Sequence, residues 1–199
     1  MSDIEFFFDF SSPYGYFAST QVDALAQRHG RTCRWRPMLL APAFEASGNT
    51  RLIDQPIKGA YSRHDWDRVA RLYGIPYRFP EPFPVGTVAA ARAFLWLEDV
   101  DPARAKPFGH ATFAAYFAEG RNISDKEVVV DVGAAMGIEP AALLAGIEQP
   151  EIKARLRQQT ESAIARGVFG APFLVVDGES FWGFDRLPMV DEWLRRGGW

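Results

Sequence analysis

The most constraining feature of this chain is an apolar run that stops abruptly and gives way at once to a helical pattern. Residues 4–10 are short, aromatic and almost continuously apolar, which is typical of a buried β-strand. Ser12 then stands at a favoured N-cap position, and Pro13 at a first helical turn that tolerates proline. A helix that begins where a strand ends directs unpaired backbone N–H groups and a positive dipole end toward one point. Such a point suits an anion, a phosphate or a thiolate.

The patterns that follow predict a βαβ unit and then a block of helices. Helical periodicity continues to Gly30, and residues 32–38 alternate like a half-buried strand. Residues 75–86 are rich in proline and predict an extended connection. Asp101 is expected to cap one of the later helices, and Ser124 with Glu127 to form a capping box for the next. The middle of the chain otherwise carries helical patterns at residues 62–73, 87–97, 102–117, 124–136, 140–146 and 151–166.

Strand patterns return only near the end of the chain. Residues 172–176 and 180–182, joined by Asp177-Gly178, predict a β-hairpin with a type I′ turn. Asp185 is placed to cap a final helix. This order predicts an α/β protein with a thioredoxin-like fold and an inserted all-helical domain. The expected boundaries are 1–43 and 168–199 for the thioredoxin-like domain and 44–167 for the insertion.

Composition excludes several classes of function. The formal net charge is −3 and no basic patch is evident, which argues against nucleic acid or an anionic membrane as partner. Cys33 is the only cysteine, so an internal disulfide and a Cys-x-x-Cys pair are excluded. The histidines at 29, 64 and 110 fit no metal-ligand spacing, and no metal is expected. No signal segment or membrane span is evident in the sequence, so a cytoplasmic location is expected.

In a thioredoxin-like fold the functional end is the start of the first helix, facing the turn before the third strand. Ser12 and Gly15 occupy the places where thioredoxin-type enzymes carry their two cysteines, so dithiol chemistry is excluded. The Ser12 hydroxyl could donate a hydrogen bond to a bound thiolate and lower its pKa. From the pattern alone, the alternative is that Ser12 is an N-cap and nothing else. Asp9, on the buried strand, either orients the first helix or satisfies backbone groups.

These residues lie in segments that resemble the 2-hydroxychromene-2-carboxylate isomerase family. That family is allied to kappa-class glutathione transferases and to the DsbA-type thioredoxin superfamily. The resemblance covers nearly the whole chain. It is carried by residues 8–14, 167–173 and 181–187, with Ser47-Gly48-Asn49 and Lys58-Gly59-Ala60-Tyr61 in the insertion.

The resemblance implies glutathione as cofactor and a role for each matching residue. Ser12 would hold the glutathione thiolate. Ala171, before a cis Pro172, would pair its backbone with the cysteinyl amide of glutathione. Asp185 would receive the γ-glutamyl amine, with Phe184 beside it offering only backbone groups. Asn49 and Lys58 would reach the site from the insertion, Lys58 toward a carboxylate.

The implied reaction isomerises a hydroxychromene carboxylate to a trans-hydroxybenzylidene pyruvate, with glutathione used but not consumed. The partners are therefore glutathione and a small aromatic substrate, and a homodimer is expected from the resemblance. Glu45, Gly86 and Phe184 depart from the pattern of many relatives. Two alternatives stay open: a kappa-like glutathione transferase, and a non-catalytic thioredoxin-like module that binds a thiol or peptide.

Overall fold

The computed structural model describes residues 3–199, and a sheet lies at its centre. Its strand order is β2-β1-β3-β4, with β2 parallel to β1 and the other pairs antiparallel. The turn between β3 and β4 has positive φ at both Asp177 (52°) and Gly178 (88°), which confirms the type I′ hairpin. Within the described residues the strands are β1 (Ile4–Phe8), β2 (Cys33–Pro37), β3 (Phe173–Val176) and β4 (Glu179–Trp182).

The connection between β1 and β2 contains two helices where the sequence predicts one. These are α1 (Pro13–Ser19) and α2 (Val22–Arg28). The hydroxyl of Ser19 donates to the carbonyl oxygen of Tyr16 at 2.7 Å, and that of Thr20 to Phe17 at 2.8 Å. Short hydroxyl side chains that bond back to the preceding turn bend or end a helix. The break therefore comes from local side-chain bonding that apolar periodicity does not register.

Helices occupy the chain between β2 and β3, as predicted. One of them, at residues 40–47, was not predicted, and the helix predicted from residue 62 begins at Lys58. The observed architecture is the predicted thioredoxin-like fold with inserted helices. The exact domain boundaries stay a prediction, and the first two residues of the segment 1–43 lie outside the described residues. The helices are α3 (Leu40–Ser47), α4 (Lys58–Tyr73), α5 (Val88–Val100), α6 (Pro102–Phe117), α7 (Lys126–Ala135), α8 (Pro140–Glu148) and α9 (Pro150–Ala165).

Two of the caps predicted for the inserted helices are wrong. Asp125, and not Ser124, caps α7 by accepting from the amide of Glu127 at 3.0 Å. Ser124 is unavailable because its hydroxyl donates to Oδ1 of Asn122 at 2.7 Å. Asp101 occupies the N-cap position of α6, but its side chain makes no capping hydrogen bond. Its carboxylate instead pairs with Arg104 at 3.1 Å, so an ion pair replaces the cap.

The sheet and the inserted helices share one aromatic core. The ring of Phe8 on β1 lies 5.3 Å from that of Trp35 on β2, 5.6 Å from Phe94 on α5 and 5.7 Å from Phe113 on α6, centroid to centroid. All these side chains are buried. Aromatic rings at such distances stabilise one another beyond their area of burial. The inserted helices therefore pack against the sheet at β1. No helix of residues 3–199 has the length and apolar character to cross a membrane.

Candidate active site

Ser12 lies at the start of α1, directly beyond the end of β1. Its backbone is extended (φ −91°, ψ 114°), and its Oγ accepts a hydrogen bond from the amide of Gly15 at 3.0 Å. The predicted N-cap is therefore confirmed. The residue is only 6% exposed, so its hydroxyl lies in a largely water-free setting at the positive end of the helix.

The same hydroxyl reaches across to the segment before β3. Ser12 Oγ donates to the carbonyl oxygen of Ala171 at 2.9 Å, and the Ala171–Pro172 peptide bond is cis. A serine hydroxyl carries one hydrogen, so the acceptance from Gly15 and the donation to Ala171 use its donor and one of its lone pairs. The structure thus brings together the two segments that the sequence placed at the site.

The buried carboxylate of Asp9 holds the turn between β1 and α1 in place. Its Oδ1 accepts from the amide and hydroxyl of Ser11 at 2.8 and 2.9 Å and from the hydroxyl of Thr87 at 2.9 Å. Its Oδ2 accepts from the amide of Leu40 at 2.7 Å. Leu40 and Thr87 stand at the starts of α3 and α5, where an anion is favoured by the helix dipole. Asp9 therefore orients the turn before α1 and also satisfies backbone N–H groups, so both of the roles considered from the sequence are present.

The environment of Asp9 exerts opposing effects on its acidity. Burial raises the pKa of the Asp9 carboxyl, and the hydrogen bonds from Ser11, Leu40 and Thr87 oppose that rise. Every partner named above is a donor, which suits an ionised carboxylate. The turn before Ser12 is accordingly built around a buried acceptor that joins the sheet to two inserted helices.

Gly15 keeps the flank of the Ser12 hydroxyl clear. A Cβ atom at position 15 would lie 3.1 Å from Cβ and 3.3 Å from Oγ of Ser12. The position that corresponds to the second cysteine of a dithiol pair thus has no side chain. Cys33 lies elsewhere, at the start of β2, where it pairs with Ile4 at the opposite end of β1. Burial raises the pKa of the Cys33 thiol, which keeps it protonated.

Of the predicted residues from the insertion, Asn49 contacts the site segment and Lys58 does not. The side-chain amide of Asn49 donates to the carbonyl oxygen of Phe169 at 3.4 Å, two residues before Ala171. Lys58 is the first residue of α4 and is exposed. Within residues 3–199 its ammonium group makes no hydrogen bond or ion pair, so it is available to an incoming anion.

The predicted residues after β4 lie beside Pro172. The amide of Gly183 donates to the carbonyl oxygen of Pro172 at 3.0 Å, which ties the two segments together. Phe184 is 5% exposed and its ring packs against Phe17 of α1 at 6.0 Å, so its side chain is buried; that its backbone contacts a ligand stays a prediction. Asp185 projects outward, and its side chain is 73% exposed.

Asp185 does not cap the final helix, contrary to the sequence prediction. A short 3-10 turn at Phe184–Arg186 precedes α10 (Leu187–Arg196), and the N-cap position of α10 is held by Arg186 without a side-chain hydrogen bond. The Asp185 carboxylate pairs instead with the guanidinium of Arg186 at 2.8 Å. Its second oxygen stays accessible to a ligand amine, because one guanidinium nitrogen engages only Oδ2.

Sequence reasoning missed two aromatic residues at this site. The indole of Trp182, 52% exposed on β4, lies against Gly170, where an added Cβ would come within 2.5 Å of its Nε1. Tyr14 in the first turn of α1 donates its hydroxyl to Oδ2 of Asp65 on α4 at 2.5 Å. No sequence pattern relates Tyr14 to Asp65, because their contact depends on how α4 packs against α1.

A family model described as a DSBA-like thioredoxin domain matches residues 3–195. The chain belongs to the DSBA-like thioredoxin family. Among its relatives in that family, the 2-hydroxychromene-2-carboxylate isomerase of Sphingobium xenophagum is 30% identical over 96% of this chain and 97% of that protein. The isomerase of Pseudomonas putida is 31% identical over 97% and 94%. Glutathione S-transferase kappa 2 of Caenorhabditis elegans is 26% identical over 96% and 91%.

Solved structures of this family share the whole fold. A structure of a 2-hydroxychromene-2-carboxylate isomerase superposes with a TM-score of 0.88 at 30% identity, covering 98% of this chain and 95% of that one. At 19% identity, where the likeness shows the fold alone, a probable DsbA oxidoreductase of Streptomyces coelicolor has a TM-score of 0.79 over 98% and 88%. The predicted membership of the isomerase family is thus confirmed. The roles of the individual site residues stay predictions.

Proposed function

We propose that this protein is a glutathione-dependent isomerase of the 2-hydroxychromene-2-carboxylate isomerase type, acting in the breakdown of aromatic compounds. One observation carries the proposal: the buried Ser12 hydroxyl stands at the start of α1, bonded to the carbonyl of Ala171, where dithiol enzymes place a cysteine. The chain has no cysteine of its own at this position. Full-length likeness to isomerases that are 30–31% identical supports the same reaction class.

The chemistry of the site residues fits glutathione, which carries a thiol, two peptide groups, two carboxylates and an amine. The start of α1 and the Ser12 hydroxyl suit a thiolate. The backbone of Ala171 suits a peptide group. The exposed cation of Lys58 and the exposed anion of Asp185 suit a carboxylate and an amine. The bare Gly15 leaves room beside Ser12 that a Cβ would fill.

Ligand binding would replace the hydrogen-bond acceptor of the Ser12 hydroxyl. The single hydroxyl hydrogen now points to the carbonyl oxygen of Ala171. To donate to a thiolate, the hydroxyl has to rotate away from that carbonyl. The Ala171 oxygen then gains a free lone pair, and the peptide N–H of a bound cysteinyl residue is the group that can replace the lost donor. Both polar groups stay satisfied through the exchange, which keeps its cost small.

When bound, glutathione supplies a thiolate nucleophile that can add reversibly to a conjugated carbon. The protein's part is to hold that thiolate deprotonated and in place. A hydrogen bond from Ser12 and the dipole of α1 both favour the charged form and so lower its pKa. The half-exposed indole of Trp182, next to Gly170, offers an apolar surface close to this point. Positioning and thiolate stabilisation are thus the contributions expected of the chain.

The test is a product analysis with 2-hydroxychromene-2-carboxylate as substrate and glutathione in less than stoichiometric amount. Formation of the trans-hydroxybenzylidene pyruvate with total free glutathione unchanged is the expected result. Isothermal titration calorimetry provides an independent measurement of glutathione binding. A protein that binds no glutathione at millimolar concentration would contradict the proposal.

A second candidate is a kappa-like glutathione transferase, favoured by the kappa relatives that are 25–26% identical over 94–97% of this chain. A transferase joins glutathione to an electrophile and releases the conjugate. The same incubation separates the two functions, because transfer removes one free glutathione for each product molecule and isomerisation removes none. An aryl halide substrate, which has no isomerisation route, gives the complementary assay.

A further inference from the structure

A hydrogen bond joins the first turn of α1 to the middle of α4. Tyr14, two residues after Ser12, donates its hydroxyl to Oδ2 of Asp65 at 2.5 Å. The other carboxylate oxygen of Asp65 accepts from the guanidinium of Arg68 at 2.5 Å, and Arg68 also donates to the hydroxyl of Tyr61 at 3.2 Å. Burial and the bond to Asp65 raise the pKa of Tyr14, so the phenol stays a donor throughout the neutral range. The bond has a fixed direction and a fixed acceptor.

The spacing along α4 relates this bond to Lys58. Lys58 and Asp65 are seven residues apart, which is almost two full turns of an α-helix. They therefore lie on the same face, separated by about 10 Å along the helix axis. Any rotation or sliding of α4 against α1 would move both residues together. A bond that fixes Asp65 against Tyr14 thus also fixes where Lys58 stands relative to Ser12.

The start of α4 is held just as firmly. Ile57, the residue before Lys58, has φ 68° and ψ −55°, and the amide of Lys58 donates to the carbonyl of Pro56 at 2.7 Å. This is a γ-turn with its central residue in a rare and strained conformation. Gly59 packs so close to the carbonyl of Ile53 that a Cβ would lie 2.5 Å from its oxygen. The backbone of Lys58 consequently has little freedom to compensate for a displaced helix.

We propose that the Tyr14–Asp65 hydrogen bond positions Lys58 so that the site selects thiol ligands with a carboxylate at the correct distance from the sulfur. The inference rests on the proposed function, because it takes Ser12 as the seat of the sulfur. Asp185 is anionic and suits the γ-glutamyl amine, so the carboxylate that Lys58 receives is the glycyl carboxylate, at the other end of glutathione. Tyr14 and Asp65 are positioning residues that act through Lys58.

The experiment compares the binding of glutathione and of its glycyl monoethyl ester by calorimetry. The ester removes only the charge that Lys58 is proposed to receive. Wild-type protein should prefer glutathione by about fivefold, the size expected for one partly exposed ion pair. Lys58→Met should abolish the preference. Tyr14→Phe, which deletes only the hydroxyl, should reduce it below about twofold on the same scale.

The matched control is Tyr16→Phe. Tyr16 lies on the same helix, and its hydroxyl donates to the carbonyl oxygen of Pro76 at 2.9 Å. Its substitution deletes an equivalent hydrogen bond that does not involve Asp65, so the preference should stay at the wild-type value. Asp65→Ala should repeat the loss of preference seen with Tyr14→Phe, and the double variant should add nothing to it, since both changes break the same Tyr14–Asp65 bond.

The outcomes separate this inference from the proposed function. A wild-type protein that binds neither ligand overturns the proposed function and the inference with it. A wild-type preference that survives intact in Tyr14→Phe and in Asp65→Ala overturns the inference alone. Equal loss of preference in Tyr16→Phe also overturns it, because general loosening of α1 would then be the cause.

Discussion

The hydroxyl of Ser12 donates to the carbonyl oxygen of Ala171 at 2.9 Å, joining the start of the first helix to the segment before the third strand. Residues 159 positions apart in sequence are thus in direct contact at the candidate active site. The bond makes Ser12 more than the cap of α1. It also means that the donor proposed for a ligand thiolate is already held in a buried position.

Replacing Ser12 with alanine should separate the two roles of its side chain. Loss of the cap bond to Gly15 should lower the free energy of unfolding by about 1 kcal/mol. Loss of the donor should raise the thiolate pKa of bound glutathione by about one to two units. The first effect is measured by urea denaturation, the second by a pH titration of thiolate absorbance. Asp125→Ala, which removes the cap of α7 far along the chain, should reproduce the stability loss and leave the thiolate pKa unchanged.

Asp9→Asn should destabilise the fold although it conserves shape. An amide would direct its NH₂ group toward the N–H of Leu40 or the donors of Ser11 and Thr87, leaving a buried donor unpaired. The expected loss is about 2–4 kcal/mol of unfolding free energy. Thr87→Val removes only one of these donors and should cost about 1 kcal/mol. Wild-type stability in Asp9→Asn would contradict the described role of the carboxylate.

Gly183→Ala should impair glutathione binding as well as stability. Gly183 has φ 111°, a conformation that L-residues adopt only with strain, and an added Cβ would lie 2.5 Å from Oδ1 of Asp185. The expected results are a loss of about 1–3 kcal/mol in unfolding free energy and a weaker affinity for the γ-glutamyl end. Gly178→Ala is the control, because its φ of 88° brings comparable strain with no atom within 4 Å of the added Cβ. The control should lose stability and keep its affinity.

The ion pairs of Glu5 predict a dependence of stability on pH. Hydrogen bonding to Arg166, with the charges of Arg166 and Arg36, holds the pKa of Glu5 below its ordinary value, against the effect of burial. A carboxyl whose pKa is depressed in the folded state contributes stability above its unfolded pKa and loses it as the pH falls through the folded pKa. Glu5→Gln should therefore be less stable than wild type by about 1 kcal/mol at neutral pH.

That difference should shrink as the pH falls below about 4.3, the ordinary pKa of glutamate, and vanish once Glu5 is protonated in the folded state. The measurement is chemical denaturation of both proteins at a series of pH values, from neutral down to below about 4.3. A difference that is constant with pH would show that Glu5 contributes by packing and not by charge. Glu161→Gln, in an exposed pair 4.0 Å from Arg157, should change stability by less than about 0.5 kcal/mol.

The sequence was sufficient for the parts of the fold that depend on repeated patterns. The hairpin at Asp177-Gly178, the cap at Ser12 and most helices of the insertion follow from periodicity and turn chemistry, which act over a few neighbouring residues. The predictions fail where two side chains compete for one local partner. Ser124 does not cap α7 because its hydroxyl donates to Asn122, and Asp125 caps that helix instead. Asp185 forms an ion pair with Arg186 and does not cap α10.

Long-range relationships at the site were beyond the sequence alone. Nothing in the residues themselves says that Tyr14 meets Asp65, or that one carboxylate at Asp9 serves the starts of both α3 and α5. These contacts depend on how the inserted helices pack on the sheet, and many packings satisfy the same apolar pattern. The resemblance to a known family supplied the candidate ligand, and the structure supplied the atoms that Ser12 now contacts.

Positions 12 and 15 are almost at the spacing that a disulfide requires. The Cβ atoms of two residues there would be 3.1 Å apart, a few tenths of an ångström short of the spacing of about 3.5–4.5 Å between cysteines joined by a disulfide. A small relaxation of the helix start would accommodate such a bond. Substituting both Ser12 and Gly15 with cysteine should therefore give a redox-active dithiol at the place where we propose that the glutathione thiolate binds. On this expectation, two substitutions would change the proposed chemistry of the site, because the turn already brings positions 12 and 15 together.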